Sequence, residues 1–362
     1  VHSFTATQTD SVGNTSAASS PARTTSAIQM AALYGANGLD DDGIRATASQ
    51  YGAGGITDID TAAKASLIND VIDTLASTAV DTQAEIAALA AIVKSIFATA
   101  AGESVVPPLT PQDLAALGIS GVDTDNIAAV IAAIAGTADN GSGIDSLSEL
   151  SAVVDATLAA SRAAFTVISG YDGTNTIPSE AEFSAIAVTG VNSANISSVN
   201  SVLAVLSSSA TDSRAEVQAV VDTYVAILNG ADGVANAGLS LTAAQYQNIG
   251  LTEITTSAQA NLLSSIIDPS ATSGVDTYAE LQVLANIVAR LTAVAAGGAA
   301  SPPLTPAELA LIGIDGVTAS NLSAVLSAIA ATADNGSGID TLAKLQAVAD
   351  TGIVNARAAS LD

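Results

Sequence analysis

Apolar residues along this chain recur at intervals of three and four, the spacing that gathers them on one face of an α-helix. They come in a short run, a longer one and a longest one, and then the order begins again. Ile127, Val130, Ile131 and Ile134 mark one such face, and shorter ones are marked by Leu114 with Leu117, Phe183 with Ile186, Tyr246 with Ile249, and Leu309 with Ile312. The order is also written as repeated text. Residues 108–122, Pro-Leu-Thr-Pro-Gln-Asp-Leu-Ala-Ala-Leu-Gly-Ile-Ser-Gly-Val, return almost unchanged at 303–317. Both copies run on into Thr-Ala-Asp-Asn-Gly-Ser-Gly-Ile-Asp, at 137–145 and again at 332–340, 195 residues downstream.

Fainter copies fill the interval. An apolar anchor before the second helix, at Ile59, Val122, Val191, Ile254 and Val317, recurs at steps of 63, 69, 63 and 63. An anchor on the third helix, at Ile86, Leu150, Val217, Leu281 and Leu345, recurs at 64, 67, 64 and 64. The difference places an insertion after the third helix of the second unit, near residues 169–178. The expected fold class is therefore all-α, a tandem array of about five three-helix modules forming an elongated rod. The modules span 47–109, 110–178, 179–241, 242–304 and 305–362, after an extended or disordered segment at 1–25 and a partial module with linker at 26–46.

Start and stop signals fit this division. The first helix opens on a hydroxyl with an acid or amide three residues later, at Thr110 and Asp113, Ser179 and Glu182, Thr242 and Gln245, and Thr305 and Glu308. That is the spacing of a capping box, with Pro111 and Pro306 at the first helical position and Gly118, Gly250 and Gly313 as stops. Thr124, Ser193 and Thr318 are expected to cap the second helix. Just inside it, Asn126, Asn195 and Asn321 read either as amides bonding the adjoining loop or as a ladder of ligands. A second capping box, Asp-Thr/Ser-x-x-Glu, opens the long third helix at 81–85, 145–149, 212–216 and 276–280, and Lys344 breaks it in the last module. Two of these long helices are expected from about Ser146 toward Ser169 and from Tyr278 toward Ala295. Residues 3–9 alternate as a strand would, fitting either a partner's sheet edge or a mobile terminus. Residues 26–34 read as the third helix of a preceding module, whose Ile28, Met30, Ala31 and Leu33 need a partner.

Composition narrows the function. With 49% apolar residues, 3% aromatics, no cysteine and no tryptophan in 362 residues, the cores are built from Ala, Leu, Ile and Val. The net charge of −26 repels phosphate backbones, which argues against a nucleic-acid partner, and it disfavours anionic membranes. No uninterrupted apolar run approaches the ~18 residues of a span, so no membrane insertion is expected. An opening at Val1 fits a removed signal peptide or a segment of a longer chain. Without cysteine there are no disulfides, thiol nucleophiles or zinc thiolates, and the one histidine, His2, lies in the terminal segment. Carboxylate pairs recur as helix caps in every module, unlike a catalytic site, so no enzyme is expected.

The sharpest chemical candidate is the glycine-rich loop after the second helix. Asp139, Asn140 and Asp145, with their copies Asp334, Asn335 and Asp340, offer hard oxygen ligands for calcium beside glycines that expose carbonyls. The EF-hand pattern is not met, because its twelfth position is Leu150 and the neighbouring Glu149 becomes Lys344 in the second copy. The same text also reads as a turn between helices. Loops at 40–43 and 229–236 carry weaker versions of the signal.

The text Leu-Thr-Pro-x-Glu/Asp-Leu-Ala-x-Leu/Ile-Gly-Ile-x-Gly-Val, followed by Asn-Leu/Ile-x-x-Val at 109–130 and 304–325, resembles helical tandem modules of very large bacterial cell-surface and adhesin-like proteins. With the fainter copies the resemblance covers about residues 47–362. It implies a secreted, extracellular protein of the cell surface. The reading that follows is a structural subunit whose partner is itself, assembling into a filament or surface layer. The alternatives are a stalk segment among neighbouring modules of a giant adhesin, or a repeat-type binding module for peptide or glycan.

Overall fold

The computed structural model describes Thr9, residues 11–13, Thr15, Gly35, Ala36, Gly38 and residues 45–138, 140–236, 238–333 and 335–360. The helix expected at 26–34, the loop at 40–43 and the candidate ligands Asp139 and Asp334 lie outside these residues. So does the strand expected at 3–9, except for Thr9.

Among the described residues the fold is all-α, and fifteen α-helices can be followed whole. They are α1 (Ala48–Ala53), α2 (Ala62–Thr74), α3 (Gln83–Ala100), α4 (Pro111–Ala116), α5 (Ile127–Ala135), α6 (Leu147–Ser169), α7 (Glu180–Ala185) and α8 (Ile196–Leu203). The rest are α9 (Arg214–Gly230), α10 (Ala243–Asn248), α11 (Ser257–Ile267), α12 (Tyr278–Ala295), α13 (Pro306–Leu311), α14 (Leu322–Ala330) and α15 (Leu342–Ala359). In chain order a short helix, a middle one and a long one follow each other in turn. No strand occurs among the described residues, where isolated bridges join Thr9 to Thr15 and Asp232 to Ala271.

The contacts fall into two compact units, Val1–Ser161 and Arg162–Asp362, with the boundary inside α6. In the first unit a continuous cluster links Tyr51, Ile68, Ile72, Ile86 and Val93 to Leu114, Val130, Ile134, Leu150 and Val154. In the second, one cluster runs from Phe183 and Val199 through Tyr224, Tyr246, Leu263 and Leu281 to Leu309, Val325 and Leu345. Within each unit the core continues from one repeat into the next.

The first helices, six residues each, are too short to persist alone. They are held by buried pairs, Leu114 with Leu117, Phe183 with Ile186, Tyr246 with Ile249, and Leu309 with Ile312. Each such side chain stabilises by ~1.5–3 kcal/mol on full burial. Reciprocal capping boxes form at Thr47 and Gln50, Thr110 and Asp113, Ser179 and Glu182, Thr242 and Gln245, and Thr305 and Glu308. Gly118, Gly250 and Gly313 end their helices at φ +85°, +89° and +87°. The third repeat puts Ala187 there at φ 52°, the one positive-φ residue other than glycine among those described.

The long helices also start as expected, with reciprocal boxes at Thr82 and Glu85, Ser213 and Glu216, and Thr277 and Glu280. Thr341 accepts from the Lys344 amide without a return bond. The caps expected for the middle helices are corrected. Thr124, Ser193 and Thr318 do not cap α5, α8 and α14, whose N-caps are Asn126, Asn195 and Asn321. Each asparagine staples the turn before its helix. Its Oδ1 accepts from the amide three residues back, at Asp123, Asn192 or Thr318 (2.9, 2.8 and 2.7 Å). Its Nδ2 donates to the carbonyl five residues back, at Gly121, Gly190 or Gly316 (3.1, 2.7 and 3.0 Å). A local staple outcompetes a hydroxyl cap because it satisfies two backbone groups at once.

Two helices, α3 and α6, are long and apolar enough to cross a membrane by length and composition. Neither helix is an uninterrupted apolar run, because Glu85, Lys94, Ser95 and Thr99 break α3 and Ser148, Glu149, Ser151, Asp155, Thr157, Ser161, Arg162 and Thr166 break α6. In α3, Ile86, Leu89, Ala90, Val93, Ile96 and Phe97 are buried in the core of the first unit.

Candidate functional site

The two glycine-rich loops are the sites that the sequence singles out, and their described residues are already engaged. Asn140 Oδ1 accepts from the Ser142 amide at 3.0 Å, and Asn335 Oδ1 from the Ser337 amide at 3.0 Å, so both side chains serve as turn acceptors. In the second loop the Lys344 ammonium bonds Asp340 Oδ1 at 2.6 Å and the Ser337 carbonyl at 3.1 Å. That loop supplies its own cation.

The first loop has Glu149 where the second has Lys344. Burial raises the Asp145 carboxyl above its ordinary value, and a hydrogen bond with Glu149 and the charges of Glu149 and Asp70 push the same way. Among the described residues no group of three or more acids or histidines is close enough to hold a metal ion. The loop at 229–236 likewise spends its acceptors internally. Asp232 takes the Val234 amide and the Asn236 side chain, and buried Asp268 takes the amides of Asn236, Gly238 and Leu239.

A different constellation recurs, and the sequence reading did not single it out. The backbone N–H of Leu147, first residue of α6, donates to Asp70 Oδ2 on α2 at 3.0 Å. Tyr278 at the start of α12 donates to Ser201 Oγ on α8 at 2.9 Å, and Leu342 at the start of α15 to Ser265 Oγ on α11 at 2.8 Å. Each pair is separated by 77 residues. The first amides of a helix have no partner inside it, so an acceptor on the preceding repeat fixes where the next long helix begins. Leu147, Tyr278 and Leu342 are half-buried at these joints. The signal was present in the text as a hydroxyl or carboxylate on three middle helices, α2, α8 and α11, 77 residues before the first residue of a later long helix; α5 carries neither group.

A second set of polar ties holds the segment before three of the short helices, α1, α7 and α10. Asn69 Nδ2 donates to the Ala46 carbonyl and Asn200 Nδ2 to the Pro178 carbonyl, both at 2.8 Å, and Ser264 Oγ accepts from the Leu241 amide at 3.3 Å. Tyr51 Oη completes the first by donating to Asn69 Oδ1 at 2.8 Å, and Tyr246 Oη pairs with Ser264 Oγ at 2.8 Å. Phe183 stands where the tyrosines do, and Asn200 Oδ1 is buried without a partner.

Two grooves open beside the joints. One of about 960 Å³ is lined by Leu239, Asn261, Ser265, Asp268, Asp315 and Leu342, and one of about 590 Å³ by Arg45, Ala48, Ser66, Asn69, Asp70 and Ser146. Compared with known proteins, the chain matches no family model, no curated protein and no solved structure.

Proposed function

We propose that this chain is an extracellular structural protein of a bacterial surface, an elongated array of five three-helix modules that associates with copies of itself into a filament or surface layer. The observation that carries this reading is the amide-to-side-chain bond made three times at a separation of 77 residues. Head-to-tail contacts of this heterologous kind build open assemblies when they form between copies. The acidic balance of −26 keeps the free chain soluble between assembly events.

The stalk of a longer adhesin is the nearest rival, since it uses the same joints in one chain. The grooves of about 960 and 590 Å³ favour a binding module for peptide or glycan as a third reading. Calcium enters at the first loop, where Asp145 and Glu149 face each other without the ammonium that Lys344 brings to Asp340. Its signature is a melting temperature that falls on chelation, and identical melting with calcium and with EDTA removes calcium from the reading.

Electron microscopy of the purified chain at millimolar calcium tests the proposal. Ordered filaments or sheets are expected. Isolated particles at every concentration would move the function to a stalk or a binding module.

A further inference from the structure

The fifth repeat carries the acceptor side of the joint on an exposed face. On α14, Ser327 stands six residues after the N-cap asparagine Asn321, as Ser201 stands six after Asn195 on α8. Ser201 and Ser265 are half-buried where each receives a helix and Ser327 is exposed, while all three hydroxyls donate to a carbonyl of their own helix (2.7, 2.8 and 2.9 Å), which leaves the oxygen able to accept a backbone amide. A groove of about 530 Å³ runs beside it between α14 and α15, lined by Ala324, Ser327, Ala328, Ala331, Thr351 and Asn355.

The donor side is also on show, in the first repeat. Thr82 and Gln83 begin α3 with the same capping box as the docked helices, yet both residues are exposed, while Leu147, Tyr278 and Leu342 are half-buried. The Gln83 amide holds the position from which those three donate.

We infer that the α14–α15 face of the fifth repeat docks the start of α3 from a second copy of this chain, with the Gln83 amide donating to Ser327 Oγ. This rests on the self-assembly proposed above and names its interface. Charge allows it, because none of the six residues named for the groove is ionisable, so the groove itself adds no like charge against a second copy of a chain of net charge −26. Side-chain size sets its strength. The buried Leu262, Ile266, Ile287 and Leu291 of the fourth repeat correspond to Ala324, Ala328, Thr351 and Asn355, which present less apolar area. The contact between copies is therefore weaker than the joints inside the chain, and assembly is reversible and concentration-dependent.

Two substitutions in the full chain separate the faces. Ser327→Glu places a charge and extra bulk on the exposed acceptor. Gln83→Pro deletes the donating amide at a helix position that tolerates proline, after a Thr82 already extended at φ −119° and ψ 153°. Sedimentation velocity from micromolar to near-millimolar protein should show wild type associating and each variant alone at least about tenfold weaker, with helicity unchanged in both; Gln83→Pro also loses the Gln83 Nε2 bond to the Gly54 carbonyl at 2.9 Å and should melt slightly lower, whereas Ser327→Glu should melt as wild type. An equimolar mixture of the two variants should stop at dimers, because each brings one intact face. Wild type that assembles while both variants assemble equally well would overturn this interface and leave self-assembly standing. Wild type that stays monomeric throughout would overturn both.

Discussion

The amide of Leu147 donates to the carboxylate of Asp70 at 3.0 Å across 77 residues of chain, and the same bond is rebuilt with Ser201 and Ser265 as acceptors. A hydrogen bond to a charged acceptor is worth ~1.5–3 kcal/mol and one to a hydroxyl nearer ~1 kcal/mol. Asp70→Ala should therefore lower stability by ~1–2 kcal/mol and Ser265→Ala by ~1 kcal/mol, read from denaturant midpoints at constant slope. Asp70→Asn keeps an acceptor and sheds repulsion toward Asp145, so it should stay close to wild type. Equal losses for Asp70→Asn and Asp70→Ala would show that the joint is not held by this bond.

Phe183→Tyr should stabilise the protein. Tyr51 and Tyr246 show where the hydroxyl goes in the neighbouring repeats, and Asn200 Oδ1 waits buried and unpartnered at that place. Satisfying a buried acceptor is worth ~1–2 kcal/mol. Thermal unfolding would register it as a higher melting temperature. A lower one would mean that the core around Phe183 has no room for the oxygen.

Ala187→Gly should stabilise by ~1 kcal/mol, because a left-handed backbone at φ 52° is strained for any residue with a Cβ. Gly118, Gly250 and Gly313 fill the corresponding positions without strain. The Arg214 guanidinium donates to the Ala187 carbonyl at 3.1 and 2.8 Å, and the substitution leaves that oxygen in place. A destabilised variant would count against strain at this turn.

Most of the helical plan was legible in the chain, and the reason lies in local chemistry. Capping boxes such as Thr110 with Asp113 involve residues three apart, and the apolar periodicity of Ile127 to Ile134 reports one helix face, so both are visible in a short window. The staple by Asn126 was visible only as an ambiguous amide, because choosing between Thr124 and Asn126 depends on which backbone groups the turn exposes. The joints were missed because Asp70 and Leu147 meet only once two repeats have packed. The glycine-rich loops differ in a way that their shared text hides. Their two copies look alike in text, but Glu149 against Lys344 reverses the charge beside Asp145 and Asp340.

That reversal predicts a pH effect. The folded state holds a proton on Asp145 more tightly than the unfolded chain does. Its contribution therefore favours folding at lower pH and is lost as pH rises through the raised folded value. Asp276, raised by burial and by Glu280, acts in the same sense. The helix-capping Glu85 and Glu182 and the Arg290-paired Glu308 are lowered, so they act oppositely, and their contribution is lost as pH falls below the ordinary glutamate range. Glu149→Lys replaces the repulsion by the pairing seen at Asp340. It should raise the melting temperature at neutral pH and flatten its change as pH falls through the raised Asp145 value toward the ordinary aspartate range. An unchanged profile would show that Asp145 and Glu149 do not interact in solution.

The recurring joint is tested most directly by amide hydrogen exchange at the first residues of the long helices. Such amides have no acceptor inside their own helix and ordinarily exchange like open chain. Leu147, Tyr278 and Leu342 should be protected nearly as well as the helix interiors, while Gln83 exchanges freely in dilute protein and becomes protected as copies associate. Fast exchange at all four positions under every condition would contradict the joint.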